Sequence, residues 1–436
     1  MKWRIWETLR ATKGRRMRIR AGLLAITITM LVPAGLTLGP SAQAAAPTQA
    51  HATAPEAART ASRPASSGTF RSVVYVKNVV GPGVAPPSSV AIADVTGDGR
   101  PDLIVSTVDP DNVNGGTTVA VYRQRDNGTL AAPVTAKAPP PDYNDDQTQI
   151  TIADLYANGQ KEILLTEAGH VDVFAYRHGR VTGPARIPVP GGSSPKSGGA
   201  GDLRVADMNR DGHPDLLVTD FYGHVVIYHG SAAHTFAYAR KLDFGADAET
   251  WPVLFNSDFN HDGRMDVAVL NGESFSVRMQ WSGSRFSNLR TYKVVPVGGV
   301  LFGTAGLAVG DVTGDGRPDV VTDTLANSPW SGVEVFAGTG SGTFKAPVVH
   351  PTLDVPMGLT ITDLTGNGRN DLVIDHDQEN AIGVMLQTSR GTLGPETLYP
   401  AITYGDTPAV GDLNGDRKPD IAFTAGPGEI GILYGK

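Results

Sequence analysis

"DVTGDGRPD", Asp94 to Asp102, recurs letter for letter at Asp311 to Asp319. Three carboxylates within nine residues repel one another unless a cation sits among them. Weaker copies lie between and beyond: "DMNRDGHPD" from Asp207, "DFNHDGRMD" from Asp258, "DLTGNGRND" from Asp363, "DLNGDRKPD" from Asp412 and the degenerate "DLYANGQKE" from Asp154. Leading aspartates at 94, 154, 207, 258, 311, 363 and 412 mark one unit, about 50 residues long, repeated seven times.

Each unit has the period-two patterning of short strands. An alternating run precedes the loop ("SVAIAD", "QITIAD", "GLAVGD") and an aliphatic run follows it ("PDLIVST", "PDLLVTD", "PDVVTD"). A third run comes next ("TTVAVYR", "HVVIYHG", "GVEVFAG"), then a fourth after a Gly-x-Phe/Leu turn ("GTLAAPVTA", "GTFKAPVVH", "GTLGPETLY"). Four short antiparallel strands per unit predict an all-β propeller of seven four-stranded blades. The last unit ends after its third strand, "EIGILYGK", while "GTFRSVVYVKNVV" at Gly68 to Val80 reads as a fourth strand with no unit of its own. The N-terminal strand is therefore expected to complete the seventh blade, closing the ring and removing two sheet edges. A linear array of seven small sheets would leave that strand unexplained.

Composition agrees. The chain has 436 residues, 40% hydrophobic, with 52 Gly and 31 Pro and no Cys, which excludes disulfides and thiolate metal sites. Residues 1–44 read as a signal peptide: eight Lys or Arg precede the apolar run "AGLLAITITMLVPAGLTLG", and Ala42-Gln43-Ala44 is an A-x-A cleavage site. An uncleaved anchor is the alternative, and Arg15-Arg16 permits a twin-arginine route. Residues 45–67, rich in Ala, Pro, Thr and Ser, read as a disordered linker, and the propeller spans 68–436. Because residues 1–44 hold eight basic residues and one acid, their removal takes the formal charge from −7 to −14. That acidity argues against nucleic acid and anionic membranes.

In the repeated loop the first, third, fifth and ninth positions can supply side-chain oxygens, the seventh a backbone carbonyl, and Gly at the sixth a left-handed turn. Hard oxygen donors in that number suit Ca²⁺. The loop overlaps half of an EF-hand, but it lacks a Glu at position twelve and has strands on both sides. The repeats resemble those of the FG-GAP/VCBS family, which builds the ligand-binding propeller of integrin alpha chains. The resemblance covers about residues 68 to 436 and implies Ca²⁺ between the first and second strands of a blade. Family members share no single activity; adhesion and lectin-like propellers and some polysaccharide-degrading enzymes are among them.

Two loops carry a complete ligand set: Asp94, Thr96, Asp98, Arg100 (carbonyl) and Asp102, and Asp311, Thr313, Asp315, Arg317 (carbonyl) and Asp319. Asp207, Asn209, Asp211 and Asp215 match, as do Asp258, Asn260, Asp262 and Asp266. Asp363, Thr365, Asn367 and Asp371 substitute one amide for a carboxylate. Asp412, Asn414, Asp416 and Asp420 have Arg417 at the glycine position, and the second loop departs furthest, with Tyr156 and Glu162 at ligand positions. Five to seven structural Ca²⁺ ions are expected, held weakly at about 10⁻⁴ to 10⁻³ M. The metal-free alternative is a set of Asx-turns.

No G-x-S-x-G, H-E-x-x-H, Walker loop or G-x-G-x-x-G occurs, and the ten histidines are scattered singly. Recognition fits the residues better than catalysis. Loops expected on the face opposite the Asp-rich loops carry aromatics: Tyr143, Phe221, Tyr222, Trp251 and Trp330. Exposed rings stack on sugars or fill protein hot spots. The expectation is a secreted, monomeric, non-catalytic module for extracellular polysaccharide or a surface protein. The alternatives are a polysaccharide lyase or hydrolase using the same loops, and an envelope scaffold.

Overall fold

The computed structural model describes residues 69–78, 87–108, 116–139, 149–167, 169–189, 201–220, 223–245, 253–281, 285–294, 304, 306–377, 379–426 and 428–436. The leader and spacer, residues 1–67, lie outside these, as do Tyr143, Phe221, Tyr222 and Trp251. The described residues form seven four-stranded antiparallel sheets and, among them, no helix. In blade 1 the strands run Pro87–Ala93, Asp102–Val108, Thr117–Tyr122 and Val134–Lys137, paired in that order. Blade 5 (Leu307–Gly310, Asp319–Asp323, Gly332–Phe336, Val348–Pro351) and blade 6 (Pro356–Thr362, Asp371–His376, Ala381–Met385, Thr397–Pro400) repeat the pattern. Blade 4 adds a hairpin, Gln280–Trp281 with Arg285–Phe286, before its fourth strand Arg290–Lys293. Single bridges stand at the equivalent place in blades 1, 5 and 6, Gln124 with Leu130, Gly338 with Phe344 and Gln387 with Leu393.

The first strands of successive blades touch in sequence around the ring, and those of blades 1 and 7 meet to close it. Strand alternation explains why. Leu103 and Val105 enter the core shared with blade 7, while Ile104 between them enters the core shared with blade 2. The same division runs through Leu216, Leu217 and Val218 in blade 3 and Leu372, Val373 and Ile374 in blade 6. Period-two runs that are apolar at every position thus feed two interfaces at once. Seven buried clusters result, one for each pair of neighbouring blades.

The N-terminal strand does complete blade 7. Val74–Lys77 pairs antiparallel with Glu429–Leu433, which continues to Asp420–Thr424 and Ala409–Gly411. Phe70 is buried edge-on against Tyr399 of blade 6, and Asn78 donates to Thr107 Oγ1 of blade 1 at 2.7 Å. One segment therefore joins three blades.

Candidate metal loops and ligand face

All seven Asp-rich loops connect the first and second strands of a blade and fold alike. In every loop the first aspartate takes at least two backbone donors: its Oδ2 accepts the sixth residue's N–H at 2.6–2.9 Å and its Oδ1 the fifth residue's at 2.9–3.2 Å. The fifth side chain, Asp or Asn, accepts the seventh N–H at 2.8–3.1 Å. Wrapping the chain this tightly needs a left-handed residue at position six, with φ of 78–84° at the six glycines and 67° at Arg417. Position four is left-handed as well, even where it is Ala157, Arg210 or His261. The sequence reading missed that second requirement because its residue type varies.

Position two is always a buried apolar plug: Val95, Leu155, Met208, Phe259, Val312, Leu364 or Leu413. Position nine does structural work in addition to the role expected of it. It is the first residue of the second strand in every blade, and Asp102, Asp215, Asp266, Asp319, Asp371 and Asp420 are fully buried. Their Oδ2 accepts the N–H of the plug at 2.8–3.2 Å. Their Oδ1 accepts an N–H just beyond the third strand, from Gln124, Gly230, Gln280, Gly338, Gln387 or Gly435, at 2.7–3.1 Å. These carboxylates are struts across the blade. Burial pushes the Asp266 carboxyl up to about 7 and that of Asp420 up to about 6, with the backbone donors pulling the other way. Asp102, Asp319 and Asp371 are raised for the same reason.

With the ninth carboxylate turned inward, no three His, Asp or Glu side chains converge as a metal cage among the described residues. What remains in each full loop is the carboxylates at positions one and five, a hydroxyl or amide at three, and the seventh carbonyl. All are hard oxygens, the donors Ca²⁺ takes, with water completing such shells. The Thr96 and Thr313 hydroxyls at position three are buried beside the Asp102 and Asp319 carboxylates, and each acts against the rise that burial imposes on its aspartate. At position five Asp98, Asp262 and Asp315 pair with Arg100, Arg264 and Arg317 at 2.6–3.5 Å. Such exposed pairs are weak, about 0–1 kcal/mol, and give way to a divalent ion. The residues present therefore fit Ca²⁺ at positions one, three, five and seven. In blade 2 they do not: Tyr156 at position three packs into the core and stacks on His234, ring centroids 4.6 Å apart.

Neighbouring blades clasp these loops. Gln124 donates to Asp412 O at 2.8 Å, Gln280 to Met208 O at 2.7 Å and Gln387 to Asp311 O at 3.2 Å. On the opposite face, Trp330 lies in the turn joining the second and third strands of blade 5 and is 38% exposed. Its N–H donates to Asn327 O, the Thr324 hydroxyl donates to its carbonyl, and Ser328 N–H donates to Asp354 across the loop. The turn is thus fixed, with Trp330 partly open to solvent. Tyr404 and Ile402, in the connection from blade 6 to blade 7 on the same face, are 52% and 48% exposed.

A family model described as FG-GAP-like repeat matches residues 154–218, 207–269 and 258–322. Each match starts at the first aspartate of a loop, the register read from the sequence. No curated protein sequence is significantly similar to the chain. Among solved structures, an Agrocybe aegerita lectin that recognises non-reducing terminal N-acetylglucosamine is similar at 21% identity over 73% of this chain and 81% of its own, TM-score 0.54. BBS1N, in complex with ARL6DN, is similar at 13% identity over 84% and 97%, TM-score 0.55. The Pseudomonas aeruginosa periplasmic gluconolactonase PpgL is similar at 16% over 72% and 85%, TM-score 0.52. A lectin, a protein-binding domain and an enzyme share the fold, so the fold by itself assigns none of these roles.

Proposed function

Since the chain is a seven-bladed propeller of FG-GAP-like repeats, we propose that it is a calcium-stabilised, non-catalytic binding module that works outside the cell on extracellular polysaccharide. The observation that carries this reading is Trp330, a tryptophan left 38% exposed on a pinned turn on the face away from the Asp-rich loops. A large amphipathic ring that folding leaves in water is the usual platform for a sugar ring. The basic leader followed by an apolar run and Ala-x-Ala supports export. Export would supply the millimolar Ca²⁺ that weak loops of this kind need. Likeness to a lectin agrees with the reading at the level of fold.

The test is retention of the intact chain on a panel of immobilised polysaccharides, in Ca²⁺ and in chelator, with reducing ends and unsaturated products read in parallel. Retention without product, lost in Trp330→Ala, is the expected result. Product formation would make the chain an enzyme, and no retention on any polysaccharide would move the ligand to a surface protein.

A further inference from the structure

A groove of about 440 Å³ lies between the Asp311 loop of blade 5 and the corner of blade 6 that follows its third strand. Its size is within the range of about 300–1,000 Å³ of small-molecule sites. It opens on the face of the Asp-rich loops, away from Trp330. Its floor is close-packed: a Cβ on Gly391 would come within 2.0 Å of Thr313 O.

The wall is unusual in its unused acceptor. Gln387 is 3% exposed and lines the groove, and its Oε1 has no hydrogen-bond partner. Its amide nitrogen is committed to Asp311 O at 3.2 Å, and the amide nitrogen of Asn370 donates to that same carbonyl, also at 3.2 Å. The Gln387 amide cannot turn over without losing this bond, so it keeps its oxygen as a free acceptor. An acceptor left unpaired at this depth costs about 1–3 kcal/mol unless something binds it. Donors stand beside these acceptors: the exposed Ser389 hydroxyl and Arg390 guanidinium, and Arg369, whose Nε donates to Gln387 O at 3.2 Å.

The mixture decides the ligand class. The charged oxygens of a phosphate accept, and would face Gln387 Oε1 lone pair to lone pair. An ammonium only donates, and would meet Arg390. A hydroxyl-rich ring donates and accepts at neighbouring atoms and satisfies both kinds of group, and with no aromatic among the described lining residues it is held by hydrogen bonds in place of stacking. We propose that this groove is a second saccharide subsite, sized for one neutral sugar unit and independent of Trp330. It rests on the reading of the chain as a polysaccharide binder.

The experiment is saturation-transfer NMR on the intact chain with the methyl glycosides of glucose, galactose and mannose. At least one is expected to bind, with affinity reduced about tenfold or more, the loss of one or two hydrogen bonds, in the Ser389→Ala/Arg390→Ala double variant. Trp330→Ala should leave that signal unchanged, and neither inorganic phosphate nor lysine should displace the glycoside. An unchanged signal in the double variant, or displacement by phosphate, would overturn the proposal. Polysaccharide retention with no glycoside signal would overturn this subsite alone, whereas loss of both would remove the polysaccharide reading with it.

Discussion

The carboxylate of Asp319 accepts the backbone N–H of Gly338 at 2.8 Å, binding the start of blade 5's second strand to the end of its third. Its other oxygen accepts Val312 and Thr313 N–H, both at 2.9 Å. Replacing Asp319 by Ala strands three buried donors, at about 1–3 kcal/mol each before relaxation. A loss of about 3–5 kcal/mol is expected, the same in Ca²⁺ and in chelator. Asp315 is the contrast, since it touches only Arg317 and the loop's own amide. Asp315→Ala should cost under about 1 kcal/mol in chelator but should abolish most of the Ca²⁺-dependent rise that its loop contributes. Denaturant titrations of both variants with and without Ca²⁺ separate strut from ligand. Equal calcium sensitivity would mean that position nine is a ligand after all.

The difference between those two aspartates was not legible in the sequence. Both are carboxylates in one nonamer, and the donors that claim Asp319 come from residues 312, 313 and 338, the last on another strand. One sign was present: position nine always abuts the aliphatic run, as in "PDVVTD", so it had to be the first strand residue and buried. Blade count, strand order and ring closure were legible because each follows from repeat period and strand alternation. The amide-lined groove was not, since it arises from contacts between blades that leave no periodic trace. Of the aromatic candidates, only Trp330 falls among the described residues.

Arg417 tests the turn itself. It holds φ at 67° where six other loops have glycine, and a left-handed L-residue costs about 1–2 kcal/mol. Glycine returns part of that as greater unfolded-state entropy. Arg417→Gly should therefore raise stability by about 0.5–1 kcal/mol, seen as a higher denaturant midpoint with unchanged slope. A lower midpoint would show that the arginine side chain makes a contact worth more than the strain.

The connection between blades 6 and 7 should make stability fall as pH rises. Burial pushes the Asp406 carboxyl from 3.8 up to about 7, against the Thr407 N–H and Ser89 hydroxyl that lower it, and the buried Asp375 faces it and is itself raised by burial. Because the folded value lies above the unfolded one, the native state holds the extra proton. Its contribution is full below about pH 4 and is lost as pH passes through about 7. In chelator, the melting temperature should drop by several degrees between about pH 5 and pH 8. Asp406→Asn, which cannot ionise, should flatten that drop in part, leaving the share due to Asp266 and Asp420. Superimposable profiles for the two proteins would remove Asp406 from the account.

Ring closure by the N-terminal strand gives the most direct test of the architecture. Val74, Tyr75, Val76 and Lys77 pair with Ile432, Gly431, Ile430 and Glu429. The same segment receives Ile402 N–H on the Tyr75 hydroxyl at 2.8 Å and donates Thr69 N–H to the Tyr399 hydroxyl at 2.8 Å. Without it, the third strand of blade 7 would be an open edge with Phe70's place against Tyr399 empty, a template for pairing with another chain. Deleting residues 69–77 should lower the melting temperature and produce concentration-dependent oligomers. A synthetic peptide of Thr69 to Lys77, "TFRSVVYVK", should restore both by adding the missing strand in trans. A scrambled peptide serves as control, because only the native register places Phe70 on Tyr399 and the Tyr75 hydroxyl on Ile402. Rescue by the scrambled sequence, or a deletion that melts like the parent, would mean that the ring is closed by blade-to-blade packing alone.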